Sequence, residues 1–560
     1  MAKINKITLI EPEAPGFHVF SQFKMPRLGL PLLGAILKKR GYEVNLHLGK
    51  LSEKDFHSFS GNDLIGISTT TSTAPEAYRI ADRFRQAGKK VVIGGVHATF
   101  VTDESLQHAD FVVRGEAERT FPELISRIQS EELPRDLCGV SFIDRGETVH
   151  NPDAPLIDDL DSLPFPDYTL FDSKMKLFNA PIQTSRGCPY PCNFCNVTQM
   201  FGRKVRYRSV EHVLDEMAQL PKDELFYYDD NFCSNPKYTK QLCEGILKRG
   251  IKPKYSSAQV RIEVTRDPEL MDLMAQAGTD LVYVGFESVV PETLREYKKQ
   301  QTVEEIAQAV EIFRRFKMRV HGMFVIGADH DSKQTAVRTL QFAEKHGIDT
   351  IQLMMLTPIP GTELYRQLVE KGRIVSDDWS LYDGQHAVYM PAKMLPEELQ
   401  KTTFSAMGKF YSLRRGLTWV AKRDFYSASR RFMGWYLIKR WKWDNRDWSS
   451  LLHKHTVKTY RKNLSNQLKE LQKQLDELLK KLQSRLPEVG FRFEDLLAKG
   501  EKMLSDINRT LRDLKPSLDI DLAALDNKAR ELTQAVTKIQ EEVIAIESAL
   551  RSHTVKSASV

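Results

Sequence analysis

From residue 3 to about residue 149, short apolar runs alternate with segments of helical period. Ile7-Thr8-Leu9-Ile10, Leu64-Ile65-Gly66-Ile67 and Val91-Val92-Ile93 predict buried strands, and residues 30–39 and 75–87 predict amphipathic helices between them. Strand–helix alternation at this spacing predicts a doubly wound parallel sheet over 1–150. Residues 151–172 carry prolines and aspartates without an apolar period and predict a linker. From about Leu177 the alternation resumes, with Leu225-Phe226-Tyr227-Tyr228, Leu281-Val282-Tyr283-Val284, Met323-Phe324-Val325-Ile326 and Ile351-Gln352-Leu353-Met354 as strands. About six such βα units predict a barrel-like domain over 173–400. Beyond about Leu395 the pattern is helical: Leu464, Leu468, Leu471, Leu475, Leu478 and Leu482 alternate steps of four and three. Leu522, Leu525, Ala529, Leu532, Val536, Ile539, Val543, Ile546 and Leu550 repeat that seam. Phe493, Leu496, Gly500, Met503 and Ile507 keep a weaker version between Pro487 and Pro516. The fold class expected is therefore α/β followed by an all-α bundle of three antiparallel helices over 462–560.

The chain has 560 residues, with 41% hydrophobic and 28% charged, which excludes a disordered chain. No window approaches the roughly 18 consecutive apolar residues a bilayer span requires. The N-terminus lacks a secretory apolar region with a small-residue cleavage site, so a mature cytoplasmic protein is expected. The net charge of +7 is concentrated: residues 411–461 hold thirteen Lys or Arg against three Asp, a net +10 that leaves −3 for the other 509 residues. Trp419, Trp435, Trp441, Trp443 and Trp448, five of the six tryptophans, lie in the same stretch. Interleaved aromatic rings and cations over 401–461 suit a membrane interface. Phosphates of nucleic acid attract the same residues but are the lesser expectation, and a plain packing surface is the remaining alternative.

Half of the six cysteines fall within eight residues, in Ser185-Arg186-Gly187-Cys188-Pro189-Tyr190-Pro191-Cys192-Asn193-Phe194-Cys195. A disulfide framework needs more cysteines than these, and a closed zinc site needs a fourth ligand, whereas Cys138, Cys233 and Cys243 are scattered. Three thiolates suit a [4Fe–4S] cluster with one iron left open.

The CxxxCxxC spacing with Phe194 before the last cysteine resembles the radical SAM superfamily. The resemblance implies that Cys188, Cys192 and Cys195 hold the cluster in a partial (β/α)6 barrel. The open iron would then bind S-adenosylmethionine (SAM), which reduction cleaves to a 5′-deoxyadenosyl radical. Further segments fit at strand ends. Tyr228-Asp229-Asp230 matches the place of the SAM ammonium, and Glu287-Ser288 that of ribose or methionine contacts. Ser257 and Arg261, then Gly327 and Pro358, mark the intervening and last two strands. Cys233 lies near enough in sequence to donate a hydrogen atom to a product radical, although an ordinary buried cysteine is the plainer expectation.

In the first domain, Ser68-Thr69-Thr70, Gly94-Gly95-Val96-His97 and Gly115-Glu116 follow successive strands, and such loops converge on one crevice. Preceding a radical SAM domain, they resemble the cobalamin-binding domain of cobalamin-dependent radical SAM enzymes, as do Pro26-Arg27-Leu28-Gly29-Leu30 and Gly41-Tyr42-Glu43-Val44. That resemblance implies cobalamin contacts from Ser68, Thr69, Thr70, Gly94, Gly95, His97, Gly115 and Glu116, with His97 a loop hydrogen-bonder rather than a cobalt ligand. The DxHxxG motif of other cobalamin proteins is absent; the loop reads Glu11-Pro12-Glu13-Ala14-Pro15-Gly16-Phe17-His18. Cobalamin without a protein histidine is the expectation, and an emptied domain kept for packing the alternative. The resemblance covers roughly 3–410 and includes Tyr382-Asp383-Gly384-Gln385-His386.

The family implies radical modification of an unactivated carbon, by C-methylation or by ring closure and coupling, with a lipid-like substrate suited to the basic segment. It also implies an electron donor such as a flavodoxin or ferredoxin. The alternatives are a cyclase or coupling enzyme without cobalamin, and a non-catalytic cobalamin or iron–sulfur sensor. A methylthiotransferase would need three N-terminal cysteines, and only Cys138 precedes Cys188. Oligomerisation through the C-terminal heptads and a peripheral position on the inner membrane face complete the expectations.

Overall fold

In the computed structural model the apolar runs of the first 150 residues become one seven-stranded sheet. The structure describes residues 4–19, 25–171, 179–221, 224–489, 492–513 and 522–557. Lys3, Asp172, Leu177 and Pro516, and the side chains of Pro487, Phe493, Leu522, Leu525, Ile546 and Leu550, fall outside them. The strands are β1 (Lys6–Pro12), β2 (Glu43–Gly49), β3 (Leu64–Ser68), β4 (Lys90–Gly94), β5 (Phe111–Val113), β6 (Val140–Asp144) and β7 (Glu147–His150), in the order 2-1-3-4-5-6-7. The first five are parallel, and β1 pairs with both β2 and β3. Because alternate side chains point to opposite faces, Leu9 joins the core beneath one helical layer and Ile10 the core beneath the other. The order reverses between β1 and β3, the place where ligands bind such sheets.

The all-parallel expectation fails at one edge, where β6 and β7 add an antiparallel hairpin. Arg145 and Gly146 both take positive φ, and a two-residue turn of that kind returns the chain directly without a crossover helix.

The second sheet has six parallel strands in the order 15-14-13-12-11-8: β8 (Ala180–Ile182), β11 (Glu224–Tyr227), β12 (Tyr255–Val260), β13 (Thr279–Glu287), β14 (Arg319–Ile326) and β15 (Thr350–Met355). Short β9 (Ser185–Arg186) and β10 (Arg206–Tyr207) pair apart, antiparallel. Each crossover is a helix whose start is written locally. Asn235 and Asp267 accept from the Tyr238 and Leu270 amides, and Pro236 and Pro268 open the helices Pro236–Arg249 and Pro268–Gln276. Among the described residues β15 and β8 do not pair, so this is an open barrel.

Residues Met1–Asp447 form one compact unit and Trp448–Val560 another. The basic segment supplies a helical hairpin to the first, Leu413–Ala421 and Phe425–Asp444, in which Gly416 leaves room for Phe432. The division expected at residue 461 has no break behind it. One helix runs Arg446–Val489, with neither proline nor glycine before Pro487 to stop it. In the second unit the seams of this helix, Arg492–Asp513 and Leu522–Ser557 make one buried cluster. Leu479 rather than Leu478 is the buried member beside Gly500, because a straight helix drifts about 20° per heptad.

Candidate active site

The cysteine loop hangs between β9 and β10, and its first residue allows no side chain. Gly187 has φ +96°, and a Cβ there would lie 3.0–3.2 Å from the carbonyl oxygens of Gly202, Lys204 and Phe201. The loop is held from outside. Arg261 lies with its guanidinium 3.7 Å over the Tyr190 ring while donating to Glu263 and the Lys299 carbonyl. Asn193 donates to the Glu296 carbonyl and accepts through its own carbonyl from the Leu364 amide. Phe194 meets Tyr297 edge-on at 4.9 Å. Burial pushes Cys195 up to about 12 and also raises Cys188, so ligating iron at this loop releases protons.

The adjacent aspartates differ. Asp229 is fully buried and accepts from the amides and hydroxyls of both Thr184 and Ser185, at 2.5–3.2 Å. It fastens the end of β11 to the strand that enters the cysteine loop. Asp230 is exposed, yet close enough to Cys188 and Cys195 to act on both electrostatically. Enclosure by surrounding protein, with Asp229 beside it, pushes its carboxyl up to about 6. Glu287 ends β13 at φ +62°, a strained conformation for a non-glycine residue, and pairs with buried Lys299 at 2.8 Å. Ser288 is buried and accepts from the Val290 amide, Ser257 is buried on β12, and Pro358 is buried after β15. Gly327 follows β14, its amide donating to Asp331 at 2.8 Å. Cys233 packs its Sγ 3.6 Å from Met274 Sδ on an outer helix, a place that does not support a hydrogen-atom donor.

At the edge of the first sheet, Thr69 ties β3 to β4 through the Gly94 carbonyl, and Gly95 (φ +92°) lies so close to Thr69 that a Cβ would stand 2.5 Å from its carbonyl oxygen. Ser68 lies beside it, and Gly115, at φ +74°, borders open space. Thr70 Oγ1 accepts from Arg27 Nη2 at 3.2 Å, and Arg27 pairs with Glu11 at the end of β1. These two charged residues at the β1/β3 reversal were not among the expected contacts; Arg27 was legible only as part of a family-like segment. Burial raises the Tyr228 phenol, and Arg27, Glu11 and Asp230 lie near enough to act on it electrostatically.

Two expected cobalamin contacts are engaged elsewhere. His97 turns into the core, 1% exposed, with Nε2 3.1 Å from Tyr78 Oη; burial pushes it down to about 4. Glu116 accepts from Arg186 at 3.1 Å and twice from Arg206 at 2.8 Å, all three side chains being at most 8% exposed. This carboxylate ties the first sheet to both strands flanking the cysteine loop. The Tyr382-to-His386 segment forms a second tie. Asp383 binds His18 at 2.8 Å and His386 at 3.0 Å, and His386 reaches Asn445 at 3.0 Å.

Among the described residues no three His, Cys, Asp or Glu side chains converge on a single ion. Three thiols spread over one loop suit a polynuclear cluster, where each holds a different iron. Asn193 Oδ1 and Asn231 Oδ1 are buried in the same region without a partner, which leaves polar atoms for a bound group. The residues present therefore fit a [4Fe–4S] cluster with SAM beside it.

An open parallel barrel carrying three cysteines in its first loop, behind a doubly wound sheet, is the architecture of a radical SAM enzyme with an added nucleotide- or cobalamin-type domain. The radical SAM superfamily model matches residues 182–343, and the B12 binding domain model residues 20–125. The bacteriochlorophyllide d C-12(1)-methyltransferase of Chlorobaculum tepidum is 30% identical over 389 residues, 68% of this chain and 81% of that protein. The anaerobic magnesium-protoporphyrin IX monomethyl ester cyclase of Cereibacter sphaeroides is 28% identical over 407 residues, 68% of this chain and 66% of that one. The cobalamin-dependent SAM radical enzyme OxsB, with aqua-cobalamin bound, has a similar fold, with TM-score 0.60, 16% identity, and coverage of 96% of this chain and 81% of that chain. This chain belongs to the cobalamin-dependent radical SAM family of methyltransferases and cyclases. It is an enzyme whose cofactors are a [4Fe–4S] cluster, SAM and cobalamin, and it generates a 5′-deoxyadenosyl radical to modify an unactivated carbon.

Proposed function

We propose that the chain is a C-methylase that works on one substrate held between its two cofactor domains. The observation that carries this is the buried bridge from Glu116, which follows β5 of the first sheet, to Arg186 and Arg206 on either side of the cysteine loop. A radical formed on the barrel side and a methyl group carried on the cobalamin side then need only one substrate position, which is what proximity demands of a two-cofactor reaction. Cys188, Cys192 and Cys195 would hold the cluster, which when reduced supplies the electron that cleaves SAM. Asp230 would hold the SAM ammonium, Asp229 would keep the loop in register, and Arg261 with the Glu287–Lys299 pair would border the rest of SAM. Thr70, Gly95 and Gly115 offer backbone or hydroxyl approach to cobalamin.

The substrate we infer is hydrophobic and membrane-resident, and the enzyme cytoplasmic at the inner face of the membrane. The exposed aromatic and basic hairpin supports this. A flavodoxin or ferredoxin would supply electrons, and the C-terminal helices could pair two copies.

The test is product stoichiometry. The reconstituted enzyme, given SAM with a deuterated methyl group and a lipid extract, should yield equal amounts of 5′-deoxyadenosine and S-adenosylhomocysteine and one labelled methyl per pair. One SAM is reductively cleaved to methionine and the radical; the other gives up its methyl group. Ring closure, the second reading favoured by similarity to the cyclase, would yield 5′-deoxyadenosine without S-adenosylhomocysteine.

A further inference from the structure

Membrane association is usually argued from composition; here the folded hairpin says which side chains are left over for it. In Leu413–Ala421, Leu413, Leu417 and Val420 are exposed at 43%, 63% and 38%, and spacing of four and three puts them on one face. Gly416, next to this stripe, packs on Phe432, and the three apolar side chains are left exposed beyond that contact. Across the turn Phe425 is 68% exposed. In Phe425–Asp444, Met433, Tyr436 and Trp443 are exposed at spacings of three and seven, again one face, whereas Ala428, Leu437, Ile438 and Trp441 are buried on the protein side. A stripe of large apolar side chains on the outside of a structured hairpin marks a surface that meets something else.

The charges say what. Arg415, Arg431 and Arg440 are engaged, with Glu344, the Phe410 carbonyl and Asp444. Arg414, Lys422, Arg423, Arg430, Lys439 and Lys442 form no ion pair among the described residues. Lys422 lies 4.8 Å over Trp419 and Lys439 4.6 Å over Trp435, which sets a cation beside an indole ring on each helix of the hairpin. A protein partner complementary to the apolar stripe would not need six free cations around it, and a nucleic acid would not need exposed leucine, valine and methionine. Both features together match an anionic lipid surface, with rings and aliphatic chains at headgroup depth and cations on lipid phosphates.

We propose that the hairpin 413–444 docks the enzyme on a bilayer containing anionic lipid. The location gives the docking a purpose. Tyr411 bonds the Ile351 backbone of β15, the free edge of the open barrel, and Phe404 stacks on Trp441 at 3.8 Å. Arg440 lies 5.5 Å over Phe17, in the loop that follows β1. The hairpin therefore runs beside the unpaired strand and reaches the edge of the cofactor crevice, so a hydrophobic substrate leaving the bilayer arrives at the open side of the barrel. This purpose rests on the membrane-resident substrate proposed above; the docking itself does not.

The experiment is flotation of the full chain with vesicles of phosphatidylcholine alone or with added phosphatidylglycerol. Binding is expected only to the anionic vesicles, and is expected to fall as salt rises from about 0.1 M to about 1 M and the Debye length from about 10 to about 3 Å. Each surface cation contributes about fivefold, so the triple variant K422A/K439A/K442A should bind about 100-fold more weakly. Leu417→Ser with Phe425→Ser should cost at least a further tenfold. Brominated lipid should quench wild-type fluorescence, and less so in Trp443→Phe, a readout that needs no destabilised variant. No flotation on anionic vesicles at low salt, or flotation unaltered by the triple variant, overturns the proposal. So does a dimer through this face in sedimentation velocity, or RNA binding that vesicles do not compete. Formation of 5′-deoxyadenosine in detergent should be unchanged in all these variants, so loss of docking and loss of the proposed chemistry are read separately.

Discussion

Removing the charge of Glu116 tests whether the first sheet and the cysteine loop are coupled through one carboxylate. Burial opposes its ionisation, but the Arg206 hydrogen bonds and the Arg186 charge override that and hold the carboxyl below the ordinary glutamate range. Glu116 side-chain exposure is 2%, Arg206 3% and Arg186 8%. In Glu116→Gln, Arg186 keeps Glu118 at 2.6 Å, but Arg206 is left without a carboxylate, with only neutral oxygens, the amide's and the Ile157 and Phe201 carbonyls, to accept from it. An uncompensated buried charge of this kind costs about 3–5 kcal/mol. Unfolding entropy of about 2.1 cal/mol/K per residue over Met1–Asp447 is roughly 0.9 kcal/mol/K, so the apo chain should melt about 3–5 °C lower in calorimetry. Arg206 leads out of the cysteine loop, so iron bound per chain after anaerobic reconstitution should also fall. Adding Arg206→Met to Glu116→Gln should restore part of the stability, since the stranded charge is gone. A melting point within about 1 °C of wild type with full iron content would refute the coupling.

Three further outcomes follow from the site. Asp383 raises His18 above its ordinary value although burial opposes this, while Asp383 itself, opposed by burial, is held well below the carboxylate range by His386 and His18. The His18 contribution is fully present below about pH 6.5 and lost as pH rises through its raised folded value, whereas the Asp383 contribution needs pH above about 4; melting temperature should therefore decline from pH 6 to 8.5, and Asp383→Asn should flatten that slope. Asp230→Asn should weaken SAM binding by about 10- to 100-fold in titration calorimetry while iron content stays full, whereas Asp229→Ala should lose iron because Thr184 and Ser185 lose their acceptor. Gly95→Ala places a Cβ 2.5 Å from the Thr69 carbonyl at φ +92°, and the purified protein should retain less cobalamin in its visible spectrum; unchanged retention would show that this turn is not part of the crevice.

Much of the site could be read along the chain because its chemistry is local. Three cysteines within eight residues meet a cluster wherever the loop goes, and Asp229 and Asp230 follow a strand whose apolar run is plain. Which aspartate faces the loop was not legible. Neighbours on an irregular strand end point wherever Thr184 and Ser185 draw them, and those residues lie forty-four or more positions away. His97 and Glu116 were expected at the crevice because they follow strands that lead there. Yet one turn of helix carries His97 inward to Tyr78, and Glu116 answers two arginines from another domain. Glu11 gave no signal, since a lone carboxylate at a strand end is ordinary until Arg27 and Thr70 are seen beside it.

The sequence by itself determined most of the elements, the three-thiol cluster loop and the concentration of charge in one segment, because periodicity, short-range spacing and composition are one-dimensional properties; SAM and cobalamin were implied by the family resemblance. Tertiary structure alone decided what depends on distant partners. It placed the first sheet against the cysteine loop, through the Glu116–Arg186 and Glu116–Arg206 ion pairs. It also decided which of the aromatic and basic residues over 411–461 became core and which were left facing outward. Trp441 is buried on Phe404, whereas Trp443, two residues on, is 64% exposed. Both tryptophans look alike in a hydrophobicity pattern; the face of the helix that meets the barrel separates them.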